Sequence, residues 1–182
     1  MEYDELKSFV QRILDLEFCD RNHEIQVNAT GLKAEMNSRG LLNSTITLSN
    51  LSEFFLAEFK ARCDLIAQHA IGRIAILKTA EGSDKTPLGL FRSIADEQLT
   101  RVLIEHDSIS MPIASSLLSG MPVQIRDSMV QRMRDHMKQN ELTVELECKA
   151  ATSAKPSEVF VLKPSLYGIG VDLKELWKRF LN

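Results

Sequence analysis

Along most of this chain apolar residues recur at the three-and-four spacing of an amphipathic helix, and the pattern changes only near residue 140. In residues 4–17, Leu6, Phe9, Val10, Ile13 and Leu14 share one helical face. Residues 22–38 read two ways. Ile25, Ala29, Leu32 and Met36 fit a helix, Ile25 and Val27 alternate like a strand, and Gly31 weakens the helix. The helix is favoured, ending near Arg39 with Gly40 as its C-terminal stop.

The strongest stripe follows. Leu56, Phe59, Cys63, Ile66, Ala70, Ile74 and Leu77 step by three or four, and Phe55, Ala67 and Ile71 widen the face. Asn50 and Glu53 have the N-cap and N3 spacing of a capping box, so the expected central helix covers residues 51–77, with Gly72 as a point of breakage. Glu58 and Arg62 form an i, i+4 pair expected on its outer side. Thr86-Pro87 reads as N-cap and first position of another helix, lined by Leu88, Phe91, Ala95, Leu99 and Val102. Met111-Pro112 and Met121-Pro122 then suggest two consecutive helix starts around a corner at Gly120. The second would carry Met129, Met133 and Met137 toward the core.

From residue 142 to 149 the period becomes two. Leu142, Val144, Leu146 and Cys148 alternate with Thr143, Glu145, Glu147 and Lys149, as in a half-buried strand. A second β-type run covers residues 159–162, and residues 172–181 form an amphipathic segment with the only tryptophan. The expected fold is therefore α+β and predominantly α, in a single domain, 1–182. Residues 1–140 would make a helical bundle, and residues 141–182 a small C-terminal β-hairpin plus a terminal amphipathic helix.

Composition narrows the function classes. Apolar content of 44%, charged content of 26% and a net charge of −3 are ordinary for a globular chain and do not suggest a general nucleic-acid binder. The acidic start lacks the basic region of a secretory signal, and no apolar run is long enough to span a bilayer. Cys19, Cys63 and Cys148 are odd in number and far apart, which fits neither a disulfide framework nor a zinc motif. The expected compartment is the cytoplasm.

Candidate chemistry is sparse. Glu105-His106-Asp107 places an imidazole between two carboxylates, the groups of a general base or a metal site. Neighbouring residues of a helix point in different directions, so the favoured reading is a polar helix C-terminus with His106 complementing the dipole. No cofactor or metal motif is expected. The terminal segment is the best binding candidate. Leu173, Leu176, Trp177, Phe180 and Leu181 form one face, with Lys174, Lys178 and Arg179 elsewhere. The leading expectation is a non-enzymatic interaction or assembly module, self-associating through an apolar helical face and binding protein rather than nucleic acid. A small hydrolase or metal-dependent enzyme centred on His106 is one alternative. A peripheral membrane protein using the terminal helix is the other.

Overall fold

A computed structural model describes residues 3–74, 86–117 and 120–153. Four long helices account for almost all of them: α1 (Tyr3–Ser38), α2 (Thr45–Ile71), α3 (Pro87–Ala114) and α4 (Met121–Ser153). They belong to one unit, Met1–Thr152. None of the described helices is long and apolar enough to cross a membrane.

The α+β expectation is overturned at its first strand. Residues 142–149 lie inside α4, and the described residues contain no strand. Within the apparent alternation Val144 is fully buried and Cys148, one helical turn on, is half-buried. Leu142 and Leu146, at 54% and 66% exposure, face solvent instead. Met129, Met133, Met137, Val144 and Cys148 form one helical stripe, and Lys149 pairs with Glu145 at i, i+4. The Glu, Leu, Lys and Met of this region favour helix, and burial of a single stripe decides the matter. The expected run at 159–162 and the terminal helix at 172–181 lie outside the described residues.

Helix α1 joins two segments that the sequence separates. Leu6, Val10, Leu14, Phe18, Ile25, Ala29 and Met36 are all buried, and their steps of four and seven keep one face inward for 36 residues. Gly40, at φ 69°, stops it as expected. The Leu41 amide donates to the Met36 carbonyl at 2.8 Å and the Gly40 amide to that of Asn37 at 2.9 Å, a Schellman ending.

Two helix starts differ from expectation. α2 begins at Thr45, not near Asn50. Ser44 is its N-cap, accepting from the Thr47 amide at 3.3 Å, while the hydroxyls of Ser44 and Thr47 both donate to the Leu41 carbonyl at 2.6 Å. Asn50 and Glu53 sit on its surface, and Glu53 pairs with Arg132 of α4. The helix ends at Ile71, before Gly72. Thr86 and Pro87 open α3 as expected, with the Thr86 hydroxyl accepting from the Gly89 amide at 3.0 Å. Pro112 starts no new helix. It lies in the last turn of α3, where its ring nitrogen leaves one i to i−4 hydrogen bond unmade. Met121-Pro122 does begin α4.

Ion pairs and hydrogen bonds give the topology. Arg21 meets Glu58 and Glu17 meets His69, so α1 and α2 are antiparallel. Arg62 meets Gln98 and Ser52 meets His106, so α2 and α3 are antiparallel. Asp107 meets Arg126 and Arg92 meets Glu141, so α3 and α4 are antiparallel too. The result is an up-down-up-down bundle. Phe18, Phe55, Phe59 and Phe91 are fully buried in its main core, and Ala29, Leu48, Leu51 and Ile113 form a second cluster.

Arg62 is the exception to an apolar interior. It points inward, not outward, and is wholly buried. Its Nε donates to Glu58 at 2.8 Å, Nη1 to Gln98 at 2.9 Å and Nη2 to Asn22 at 2.7 Å, and its guanidinium lies 5.0 Å from the centre of the Phe18 ring. Arg21 forks onto the same Glu58 carboxylate at 3.0 and 2.9 Å. One network thus ties α1, α2 and α3 together.

Candidate functional site

The site that collects the most chemistry lies where α2, α3 and α4 meet. His106 is no helix terminus, because α3 continues to Ala114. It is buried, with the Phe55 ring edge-on at 5.5 Å. Its Nδ1 lies 3.0 Å from Asp107 Oδ1 and 3.4 Å from Ser110 Oγ. Its Nε2 lies 3.2 Å from Ser52 Oγ. An ionised carboxylate only accepts, so Nδ1 carries the proton and donates to Asp107. Nε2 is then an acceptor, and the Ser52 hydroxyl donates to it.

Asp107 is itself held by a second group. Arg126 of α4 donates Nε at 2.8 Å and Nη2 at 2.7 Å to its two carboxylate oxygens. That bidentate guanidinium holds the Asp107 carboxyl below the usual carboxylate range, against the opposing effect of burial. Burial pushes the pKa of His106 below the ordinary histidine range, and the Asp107 hydrogen bond and charge restore only part of it. Burial therefore favours the neutral imidazole.

Ser52, His106, Asp107 and Arg126 border a cleft of about 300 Å³ whose other walls are mostly apolar, among them Leu48 and Ile125. Glu105 is not part of it. Glu105 borders a separate depression beside Arg101 and Ile104, and its buried Oε2 has no hydrogen-bond partner. Of the three residues named from sequence, two come together and the third diverges. Ser52 and Arg126 lie outside that stretch of sequence. The signal for Ser52 was a polar residue on the apolar stripe of Leu48, Leu51, Phe55 and Phe59. Among the described residues no three His, Cys, Asp or Glu side chains gather as metal ligands would.

The depth of His106 sets an expected result. His106→Ala leaves the buried Ser52 hydroxyl without its partner while Asp107 keeps Arg126, at a cost of about 1–3 kcal/mol. A surface histidine would cost less than about 0.5 kcal/mol. Urea unfolding of the two chains separates these values.

The second candidate is a surface. Phe9, Leu16 and Val27 of α1 are 45%, 77% and 55% exposed. At 100° per residue Leu16 lies about 20° from Phe9 and Val27 almost directly in line with it. The buried residues Leu14, Phe18, Ile25 and Met36 lie on the opposite side of the same helix. α1 therefore carries an apolar stripe inside the bundle and, on its outer side, three aligned apolar residues spread over roughly 27 Å, with the exposed Asp20 and His23 between Leu16 and Val27. Periodicity alone puts Phe9 on the inner stripe, whereas it lies on the outer side. The expected partner-binding residues Leu173, Leu176, Trp177, Phe180 and Leu181 lie outside the described residues. No protein-family model matches the chain, and neither the curated proteins nor the solved structures contain a match to it.

Proposed function

We propose that the protein is an assembly module, and that two copies pair through the outward stripe of α1. The observation that carries this reading is the alignment of Phe9, Leu16 and Val27 on a helix whose other face is already buried. A helix needs only one apolar stripe to join its own bundle, and a second one suits a partner helix. The stripe also has the symmetry of a two-fold contact. Phe9 and Val27 are equally far along α1 from Phe18, so antiparallel pairing about that level sets each Phe9 against the partner's Val27. Leu16 then lies close to the axis. Such a contact is self-complementary, as a two-fold interface must be.

Leu16→Glu brings two like charges together near the axis. The expected result is a shift from dimer to monomer in sedimentation velocity, with helix content and melting almost unchanged, since exposed positions cost within about 0.5 kcal/mol. Arg39→Ala, which removes an exposed pair with Glu35 on another part of the surface, is expected to leave the dimer intact. A wild-type chain that sediments as a monomer throughout a dilution series would refute the proposal. So would a Leu16→Glu chain that remains dimeric.

A further inference from the structure

The line from Ser52 to Asp107 has a chemical order that packing alone does not require. A serine hydroxyl is a weak nucleophile until a base removes its proton. The base has to be a neutral imidazole with one nitrogen accepting from the hydroxyl and the other donating to an acceptor that fixes the tautomer. Nε2 of His106 stands 3.2 Å from Ser52 Oγ, and Nδ1 stands 3.0 Å from Asp107 Oδ1. Ser52 lines the cleft, with 5% of its surface exposed.

Two further features indicate the kind of molecule. The cleft is small and its walls are mainly apolar, contributed by Leu48, Ala114 and Ile125 among others. Arg126 borders it as well. Its Nε and Nη2 serve Asp107, and its Nη1 has no bond among the described residues. Ser52 lies inside α2, so the backbone amides beside it are committed to the helix and form no oxyanion hole. Arg126 is the cationic side chain among those that line the cleft.

We infer that Ser52 is a nucleophile for acyl transfer and that the cleft accepts esters of short, apolar carboxylic acids. Ser52 Oγ forms a bond to the acyl carbon as its proton passes to His106 Nε2, and the carbonyl electron pair moves onto oxygen. The pair returns, the bond to the alcohol oxygen breaks, and that oxygen takes the proton from His106. Water then repeats the sequence on the acyl-serine, releasing the carboxylic acid and restoring the hydroxyl. Ser52 and His106 are the catalytic residues, and Asp107 is a positioning residue. This activity uses a surface separate from the α1 stripe and stands independently of the pairing proposal.

The test uses the full chain with diisopropyl fluorophosphate, followed by mass spectrometry, and with p-nitrophenyl butyrate. The expected result is a single phosphoryl adduct on Ser52 and a burst of p-nitrophenol matching the chain concentration. Ser52→Ala abolishes both. His106→Gln slows labelling about a hundredfold or more, the usual contribution of a general base. Ser108→Ala, whose hydroxyl is exposed and bonded to the Glu105 carbonyl, leaves labelling unchanged. Asp107→Asn has a distinct signature. Asp107 from α3 and Arg126 from α4 are the charged groups beside His106, while α2 faces it with Ser52 and Phe55. Removing the carboxylate that raises the imidazole pKa moves the acid limb of the labelling rate to lower pH, which a merely structural Asp107 would not do. An adduct on another serine, equal labelling of folded His106→Gln, or a folded wild-type chain with neither adduct nor burst would overturn the inference. If His106→Gln does not fold, Ser52→Ala and the pH profile decide.

Discussion

Ile66→Asp is expected to leave the chain unfolded at 25 °C. Ile66 is 1% exposed and sits on the α2 stripe with Phe59, Cys63, Ala67 and Ala70, all buried in the main core. The substitution removes apolar contacts from a close-packed interior and places a carboxylate there, one turn from a buried cation, Arg62, that is already bonded to Glu58, Gln98 and Asn22. An uncompensated buried charge costs several kcal/mol, and the lost side chain adds about 2–5 kcal/mol. A domain of this kind has only about 5–15 kcal/mol of stability in total. Ile66→Val provides the scale, because deleting one buried methyl costs about 0.5–1.5 kcal/mol and leaves a cooperative transition. Circular dichroism melts of the three chains decide the matter. A soluble Ile66→Asp chain that melts cooperatively at the wild-type temperature would show that the α2 stripe does not form the core.

The central helix was legible because its stripe is long and its apolar residues are large. Local signals failed where two of them competed. The capping-box spacing of Asn50 and Glu53 is real, but Ser44 offers a cap one and a half turns earlier, and burial of Thr47 and Leu48 selects it. Gly31 was expected to weaken α1. Its cost of about 1 kcal/mol is outweighed by burial of Ile25, Ala29 and Met36 around it. The eight alternating residues at 142–149 contain the step from Val144 to Cys148, which continues the methionine stripe of α4. Read together with Met133 and Met137, rather than alone, that step has helical period. Glu58 and Arg62 were paired correctly but turned the wrong way, because i, i+4 spacing carries no information about which side faces inward. The candidate site was half legible. His106 and Asp107 are adjacent in sequence, whereas Ser52 is 54 residues from His106 and Arg126 is 19 from Asp107. Only the crossing of three helices brings these groups together, and the spacing of residues along one helix does not encode a crossing.

Glu58→Gln is expected to cost about 3–5 kcal/mol, the usual consequence of stranding one member of a buried ion pair. Arg62 has no exposure to water, and Glu58 is the one carboxylate bonded to it among the described residues. An amide at this position keeps the shape and one acceptor oxygen, but it leaves the Arg62 charge with only Gln98, Asn22 and the Phe18 ring. Arg21 loses the same counter-charge, at lower cost because it is partly exposed. The effect has a pH signature. Burial by itself would raise the Glu58 pKa, but hydrogen bonds and charge from Arg21 and Arg62 outweigh it and hold the group below its ordinary value of 4.5. A carboxylate with a depressed pKa in the folded state contributes stability that is fully present above its unfolded value. That contribution is lost as pH falls through the folded value. The gap between wild type and Glu58→Gln should therefore be widest near pH 7 and narrow as pH falls below 4.5 toward the lower folded value, beneath which the wild-type carboxylate is protonated as well. Arg62→Met in the Glu58→Gln background removes the stranded charge and should recover part of the loss. Urea unfolding of the three chains at neutral and acid pH measures each step. A gap that stays constant with pH, or an Arg62→Met addition that destabilises further, would show that the network is not held together by this charge.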